Sequence, residues 1–483
     1  MDNTKIKTFG ELKKAGYTHQ PIKDELRKNL LEKLSKKEDI FPEFWGYEDT
    51  VVPQVERAIL SKHNINFLGL RGQAKTKMAR ALTRLMDEYI PVVEGSEIND
   101  DPFSPISKYA VDLLAEKGDD TPISWVHRDE RFFEKLATPD VTVADLIGDI
   151  DPIKAATLKL SYSDERVLHY GMIPRANRSI FVINELPDLQ ARIQVSLFNI
   201  LQEGDIQIRG FKLRMPLDLQ FIFTANPEDY TNRGSIVTPL KDRIGSQIIT
   251  HYPKSIEIAK EITSQESTKL DEKSVGIHVP ELAKDLIEQI SFEARKSDYV
   301  DVKSGVSART SITAYENLLS TAELRAIMAG EKSTAIRLSD FVGIIPAITG
   351  KVELVYEGEQ EGAERVAAIL LNDAIKSLFV KYYPEIKKLE RQATVSPYQD
   401  ILDWFYNNDS FELLDEFSDA EYQKELTKIK PLDNLVATYQ PEIAKDDLNF
   451  AKEFVLWALV EYKKLSKQRT DEGYEYLDRM KSF

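Results

Sequence analysis

The sequence predicts an α/β fold, a parallel sheet with flanking helices, followed by a long helical region. Short apolar, β-rich runs recur between helix-like stretches: INFLGL (65–70), SIFVINEL (179–186) and LQFIFTAN (219–226). None shows the polar–apolar alternation of a half-exposed strand, so each reads as a strand covered on both faces. Strands that alternate with helices build a layered α/β domain. Beyond residue 253 the strand signals fade and helical periodicity takes over, as in VPELAKDLIEQISFEARK and SARTSITAYENLLSTAELRAIMAG.

Taken in order, residues 1–45 are polar and helical in pattern, with KDELRKNLLEKLSKK the clearest amphipathic piece. WGYEDTVVPQVERAIL (45–60) reads as a turn and a helix, and the α/β core spans 46–253. An all-α segment is expected over 254–349 and an all-α C-terminal extension over 350–483, where FAKEFVLWALVEYKKL (450–465) is a strong amphipathic helix. A chain of 483 residues suggests about two to four domains at roughly 100–200 residues each.

Composition narrows the function. Net charge is −16, from 64 Lys and Arg against 80 Asp and Glu. That disfavours a chain that coats nucleic acid unaided, because such binding neutralises phosphates with cations. The absence of cysteine removes disulfides, thiolate metal sites and cysteine nucleophiles. Six scattered histidines, among them His63, His127, His169 and His251, give no metal-ligand spacing. No signal peptide opens the sequence and no apolar run reaches a membrane span, so the expectation is a cytoplasmic protein without membrane insertion.

The loop after the first strand, NFLGLRGQAKTKMAR (66–80), almost fits the phosphate-binding pattern G-x-x-x-x-G-K-[ST]. Gly69, Lys75 and Thr76 fall in place, but Ala74 replaces the second glycine. Glycines let the backbone wrap an anion with inward-pointing N–H groups, and the following helix adds its partial positive charge. Gly72 remains for the tightest bend. Lys75 would reach the β- and γ-phosphates and the Thr76 hydroxyl would bind Mg²⁺. Ala74 is harmless at negative φ and costly at positive φ. The segment alone is either a nucleotide site, with Gly69, Gly72, Gln73, Ala74, Lys75, Thr76 and Lys77 as its contacts, or a glycine-bearing βα turn.

Hydrolysis also needs acidic groups at the end of a second strand. SIFVINEL offers Glu185 to polarise water, with Asn184 where a Mg²⁺-shell aspartate is expected. An amide can accept a hydrogen bond from a metal-bound water but carries no charge. The same pair also suits the N-cap of a following helix. The third run ends in Thr224-Ala225-Asn226-Pro227, LKDRIGSQI (240–248) carries Arg243, and GVSART carries Arg309 near a helix start.

In this order, GLRGQAKT, IFVINE, FTANPEDY, LKDRI and GVSART resemble the AAA+ ATPases, in particular the branch of MoxR proteins and magnesium-chelatase ATPase subunits, over residues 45–350. That branch commonly reads G-x-P-G-x-A-K-[ST], so Ala74 is a habit of the branch and Arg71 replaces its proline. The resemblance implies Walker A roles for Lys75 and Thr76 and the Walker B glutamate role for Glu185. It implies sensor one for Asn226, the arginine finger for Arg243 and sensor two for Arg309, on a helical lid over 254–349. It further implies ATP and Mg²⁺ as cofactors, Thr76 and Asn184 at the metal, and a ring of this chain, usually a hexamer, with ATP at each interface. Residues 145–178 match the branch's insert in helix two, and GDIQIRGFKLRMP (204–216) its presensor hairpin around Gly210. Their plain alternatives are a long loop and a surface hairpin.

Asn184 departs from the family aspartate, so the expectation is a slow ATPase. The resemblance implies a MoxR-type ATPase that remodels or activates client proteins, with a partner bearing a von Willebrand factor A domain. The alternative is the motor subunit of a magnesium or cobalt chelatase, against which the extension past 350 counts. A DNA-acting protein is a weaker third reading: residues 145–160 lack the G-A-F-T-G-A string of promoter-opening activators. Arg209, Lys212 and Arg214 give the hairpin only an ordinary charge pattern.

Overall fold

The computed structural model describes residues 3–161, 164–208, 214–227, 235–269, 275–386, 396–408, 410–470 and 472–479. The chain divides into two compact units, Met1–His251 and Tyr252–Phe483.

The first unit is built on five parallel strands: β1 (Ile65–Leu68), β2 (Phe132–Leu136), β3 (Ser179–Asn184), β4 (Leu219–Ala225) and β5 (Ser246–Ile249). Their order across the sheet is β5-β1-β4-β3-β2. Registers such as Leu68↔Ala225, Leu68↔Ile249 and Leu136↔Asn184 bring the C-terminal ends to one edge. The three central strands are the apolar runs of the sequence. Alternate residues serve opposite faces: Phe181, Ile183, Phe221 and Phe223 enter one core, and Ile180, Val182, Ile222 and Phe67 the other. The outer strands β2 and β5 escape sequence reading because FFEKL and SQII are short, charged or polar, and partly exposed.

The N-terminal segment belongs to this unit's core. Helix Ile22–Ser35 inserts Ile22, Leu26 and Leu30, spaced four apart, beside Ile180, Val182 and Ile222. It is fixed by a buried bidentate pair: Arg131 donates from Nη1 and Nη2 to the two Glu25 carboxylate oxygens at 2.8 and 2.7 Å. Arg131, at the foot of β2, also donates to the Arg178 carbonyl at the foot of β3.

Inside the 145–178 stretch, Gly148–Ile150 pairs antiparallel with Leu168–Tyr170 around helix Pro152–Leu158, which Asp151 caps. Gly148 sits at φ 120°, and a Cβ there would lie 2.3 Å from the His169 carbonyl oxygen, so only glycine closes this hairpin. Asp205–Gln207 pairs antiparallel with Arg214–Pro216; Arg209, Gly210 and Lys212 lie outside the described residues. Helix α1 (Lys75–Ala81) follows β1, α2 (Phe198–Glu203) precedes the 204–216 hairpin, and α3 (Thr238–Arg243) leads into β5.

The second unit packs α4 (Glu281–Ala294), α5 (Ala308–Met328), α6 (Ala363–Tyr382) and α7 (Leu448–Glu461) around one apolar core. It is mainly helical rather than all-α. Gly276–His278 pairs with Ser333–Ala335, and Phe411–Leu414, Leu465–Arg469 and Gly473–Asp478 form an antiparallel sheet. The alternation that makes these strands is brief: Phe411 and Leu413 point inward, with Glu412 exposed between them. Helix α7 is buried on every side from Phe450 to Leu459 rather than amphipathic. Its Glu453 accepts from Leu338 N–H at 2.7 Å and from the Tyr422 hydroxyl. Among the described residues no helix is long and apolar enough to cross a membrane.

Candidate functional site

Parallel strands place their C-terminal ends, and the loops that follow, side by side. Here that edge gathers Gly69 after β1, Asn184 and Glu185 at β3, Asn226 after β4, and Thr250 after β5.

The loop 69–76 is tightly constrained. Gly72 has φ 71°. Ala74 sits at φ 55°, ψ 20°, so the condition for a harmless alanine, a negative φ, is not met. A left-handed non-glycine residue costs about 1–2 kcal/mol. The surroundings hold it there: the Tyr47 hydroxyl donates to the Gln73 carbonyl, Thr250 Oγ1 donates to Gln73 Oε1 at 2.8 Å, and Ala74 packs on the core. The N–H groups of Gly72, Gln73 and Ala74 donate to no backbone carbonyl among the described residues. N–H groups left in this way before a helix start are what an anion cradle is built from.

Lys75 Nζ donates to the Gly69 carbonyl, to the Leu70 carbonyl at 3.0 Å and to Asn226 Oδ1 at 2.7 Å. Asn226 Nδ2 in turn donates to Glu185 Oε2 at 2.9 Å. A cation, an amide and a carboxylate from three strand ends therefore form one hydrogen-bonded chain. Glu185 has φ 53°, a second left-handed residue, and its N–H donates to Thr224 Oγ1 at 3.1 Å. Strain of this kind persists where the neighbouring structure over-determines it, and it concentrates at functional sites.

A second branch runs from the helix start. Thr76 Oγ1 and Thr224 Oγ1 both donate to Asn184 Oδ1 at 3.2 Å. Asn184 Nδ2 donates to Glu134 Oε1 on β2 at 2.5 Å. Hydroxyl, amide and carboxylate oxygens are the donor set that suits Mg²⁺.

Gly69, Gly72, Gln73, Ala74, Lys75, Thr76, Asn184, Glu185 and Asn226 are thus brought together. Lys77 points elsewhere: its Nζ lies 5.5 Å over the Phe44 ring. Arg243, at the end of α3, donates from Nε and Nη2 to Gln202 Oε1 at 3.0 and 2.7 Å and covers the Phe198 ring. Arg309, exposed near the start of α5, belongs to the second unit. Sequence reading missed Glu134, Tyr47 and Thr250. The charge within FFEKL, beside a strand that ends in a polar pair, is the one local signal that could have pointed to Glu134.

The sigma-54 interaction domain family matches residues 157–246. The magnesium-chelatase 38 kDa subunit of Cereibacter sphaeroides is 25% identical over 205 residues, covering 41% of this chain and 54% of that protein. The subunit of the same description from Rhodobacter capsulatus is 25% identical over 203 residues, covering 41% and 52%. The chain therefore spans about half the length of these curated relatives. A structure of the complex between magnesium-chelatase subunits BchI and BchD aligns with 66% of this chain and 98% of its own, at 20% identity and a TM-score of 0.35.

Proposed function

We propose that this chain, which belongs to the AAA+ ATPases, binds Mg²⁺–ATP at the C-terminal edge of its sheet and hydrolyses it to remodel or activate a protein client, in the manner of the MoxR branch. The observation that carries the reading is the Lys75–Asn226–Glu185 hydrogen-bonded chain beside a loop whose Gly72, Gln73 and Ala74 N–H groups donate to no backbone carbonyl among the described residues. Lys75 holds the terminal phosphates, exchanging carbonyl and amide partners for phosphate oxygens. Glu185 accepts a proton from the attacking water, and Asn226 fixes where its carboxylate points. Bound Mg²⁺ would neutralise charge developing on the phosphates, held from the protein side by Thr76 and Asn184. With an amide in place of a carboxylate at 184, metal binding weakens and turnover slows.

Arg243 serves a neighbouring copy in a ring, which we take to be a hexamer, and Arg309 senses the nucleotide from the lid. An arginine supplied in trans is worth about 10³–10⁵ in rate, so turnover depends on assembly. The 145–178 and 204–216 elements would grip the client, with a von Willebrand factor A domain protein as partner.

Binding of a fluorescent ATP analogue and steady-state phosphate release test this together. Lys75→Ala abolishes binding, Glu185→Gln binds without turnover, and Arg243→Ala binds without turnover even when assembled. A wild-type chain with no affinity for Mg²⁺–ATP at millimolar levels would refute it. A second reading, the ATPase subunit of a metal chelatase, is favoured by the two chelatase relatives. ATP-dependent metal insertion into a porphyrin, on adding the remaining chelatase subunits, separates the two.

A further inference from the structure

The departure at Asn184 has a structural counterpart one strand away. We propose that Glu134 is a positioning residue for the metal seat: it fixes the Asn184 amide with its oxygen toward Thr76 and supplies, one hydrogen bond back, the negative charge that position 184 lacks. This rests on the Mg²⁺–ATP reading above.

An asparagine side chain can face a site with its oxygen or with its NH₂ group, and the two ends look alike to neighbouring hydroxyls. A carboxylate removes the choice, because it only accepts. Glu134 Oε1 lies 2.5 Å from Asn184 Nδ2. The amide oxygen must then face the other way, where Thr76 Oγ1 and Thr224 Oγ1 both donate to it at 3.2 Å. The reversed amide would turn two N–H donors toward a site that must hold a cation. The charge adds to the orientation: a carboxylate on the amide's far side polarises it toward a more negative oxygen.

Register makes the contact possible. Glu134 pairs with Val182 across β2 and β3, two residues before Asn184 on the same face. Glu134 sits on an outer strand and is partly exposed. Its second oxygen, Oε2, accepts from Arg80 Nη2 at 2.7 Å. Arg80 is one turn beyond Thr76 on α1 and its side chain is 67% exposed against 27% for Glu134. An exposed ion pair of this kind contributes little stability. Its effect here is to share the carboxylate, so that Arg80 competes with the metal seat for the Glu134 charge.

The test is the Mg²⁺ dependence of binding of a fluorescent ATP analogue to the full chain, with affinity in EDTA measured in parallel. Outer-shell partners typically cost about 10–100-fold in metal affinity when removed. Glu134→Leu should raise the Mg²⁺ needed for half-maximal tightening by about that factor. Glu134→Gln, which still accepts from the amide without charge, should fall between it and wild type. Arg80→Ala should move the midpoint a few-fold in the opposite direction, a sign that general damage to the fold cannot produce. Asn184→Asp in the Glu134→Leu background should restore the wild-type response. Affinity in EDTA should stay within about twofold of wild type throughout, because the phosphate cradle is untouched. Superimposable Mg²⁺ curves for wild type and Glu134→Leu, a rightward shift for Arg80→Ala, or no rescue by Asn184→Asp would each overturn the assignment. A wild-type chain that binds no analogue with or without Mg²⁺ would instead remove the nucleotide reading, and the assignment with it.

Discussion

Gly69→Ala isolates the space requirement at the head of the loop. Gly69 is not among the positive-φ glycines, so an alanine would suit its backbone. Space forbids it. A Cβ there would lie 1.9 Å from Thr250 Oγ1, 2.2 Å from Gln73 Oε1 and 3.2 Å from Thr250 Cβ. Those two oxygens form the hydrogen bond that braces the loop against β5, and both residues are buried. The methyl group must therefore break the bond and push both side chains off their positions. Overpacking costs about 1–3 kcal/mol, and unpaired buried polar groups add about 1–3 kcal/mol, so the variant should lose about 2–6 kcal/mol and most of its nucleotide affinity. Thr250→Ala alone should cost about 1–3 kcal/mol, because it leaves the buried Gln73 Oε1 without this donor. In the double variant the nearest fixed atom is the residue-250 Cβ, and the Gln73 tip is free to swing aside. The double variant should therefore be less destabilised than the sum of the single variants by more than about 1 kcal/mol. Urea unfolding followed by a probe in the first unit measures this. A Gly69→Ala chain as stable as wild type, or strictly additive costs, would show that the loop is not packed as described.

Three further outcomes follow from the same physics. Ala74→Gly should stabilise by about 0.5–1 kcal/mol in a thermal melt, since relief of the left-handed strain exceeds the extra chain entropy of glycine; a lower melting temperature would mean that the Ala74 methyl's packing dominates. Arg131→Met should cost about 3–5 kcal/mol, because it strands the buried Glu25 carboxylate, whereas Glu25→Leu with Arg131→Met should cost clearly less; equal costs in urea unfolding would contradict this. Burial raises the Asp218 carboxyl to about 6, with the Ile22 N–H and Arg178 opposing the rise. A raised folded value means that the stability it contributes is complete below the unfolded value near 3.9 and is lost as pH rises through about 6. Asp218→Asn should therefore be more stable than wild type by on the order of 3 kcal/mol at pH 7.5, with the gap closing toward pH 4; a gap independent of pH would refute the titration.

Legibility in the sequence followed the range of the interaction. The phosphate loop is contiguous, so its pattern survives even with Ala74. Strands β1, β3 and β4 are legible because burial on both faces makes them mostly apolar, without polar–apolar alternation. FFEKL and SQII are not legible, because outer strands carry the charge and polarity of a partly wet surface. The partners from other strands and loops were hidden for another reason. Tyr47 reaches the Gln73 and His251 carbonyls across 26 and 204 residues, and Glu134 reaches Asn184 across 50. Such contacts depend on the β5-β1-β4-β3-β2 order, which no local window encodes. Ala74's backbone angle is similarly a product of its setting, since residue type alone favours negative φ.

The two edges of the sheet divide stability from chemistry. At the N-terminal edge charges are buried and multiply held: Arg131 by Glu25 and the Arg178 carbonyl, and Arg178 by Asp101 at 3.0 Å and the Pro91 carbonyl at 2.6 Å. Removing one member leaves a stranded charge, so this edge resists rearrangement. At the C-terminal edge the linking groups are mostly hydroxyls and amides: Thr76, Thr224, Asn184, Asn226 and Gln73. Neutral groups of this kind exchange one oxygen partner for another at small net cost. A phosphate can therefore replace the carbonyl and amide oxygens around Lys75 without unfolding the edge that holds them. The left-handed residues Ala74 and Glu185 stand within this exchangeable edge and are kept in place by the core below it. Arg131→Met should consequently lower the melting temperature while leaving the Mg²⁺ midpoint for nucleotide binding where it was. Glu134→Leu should do the reverse.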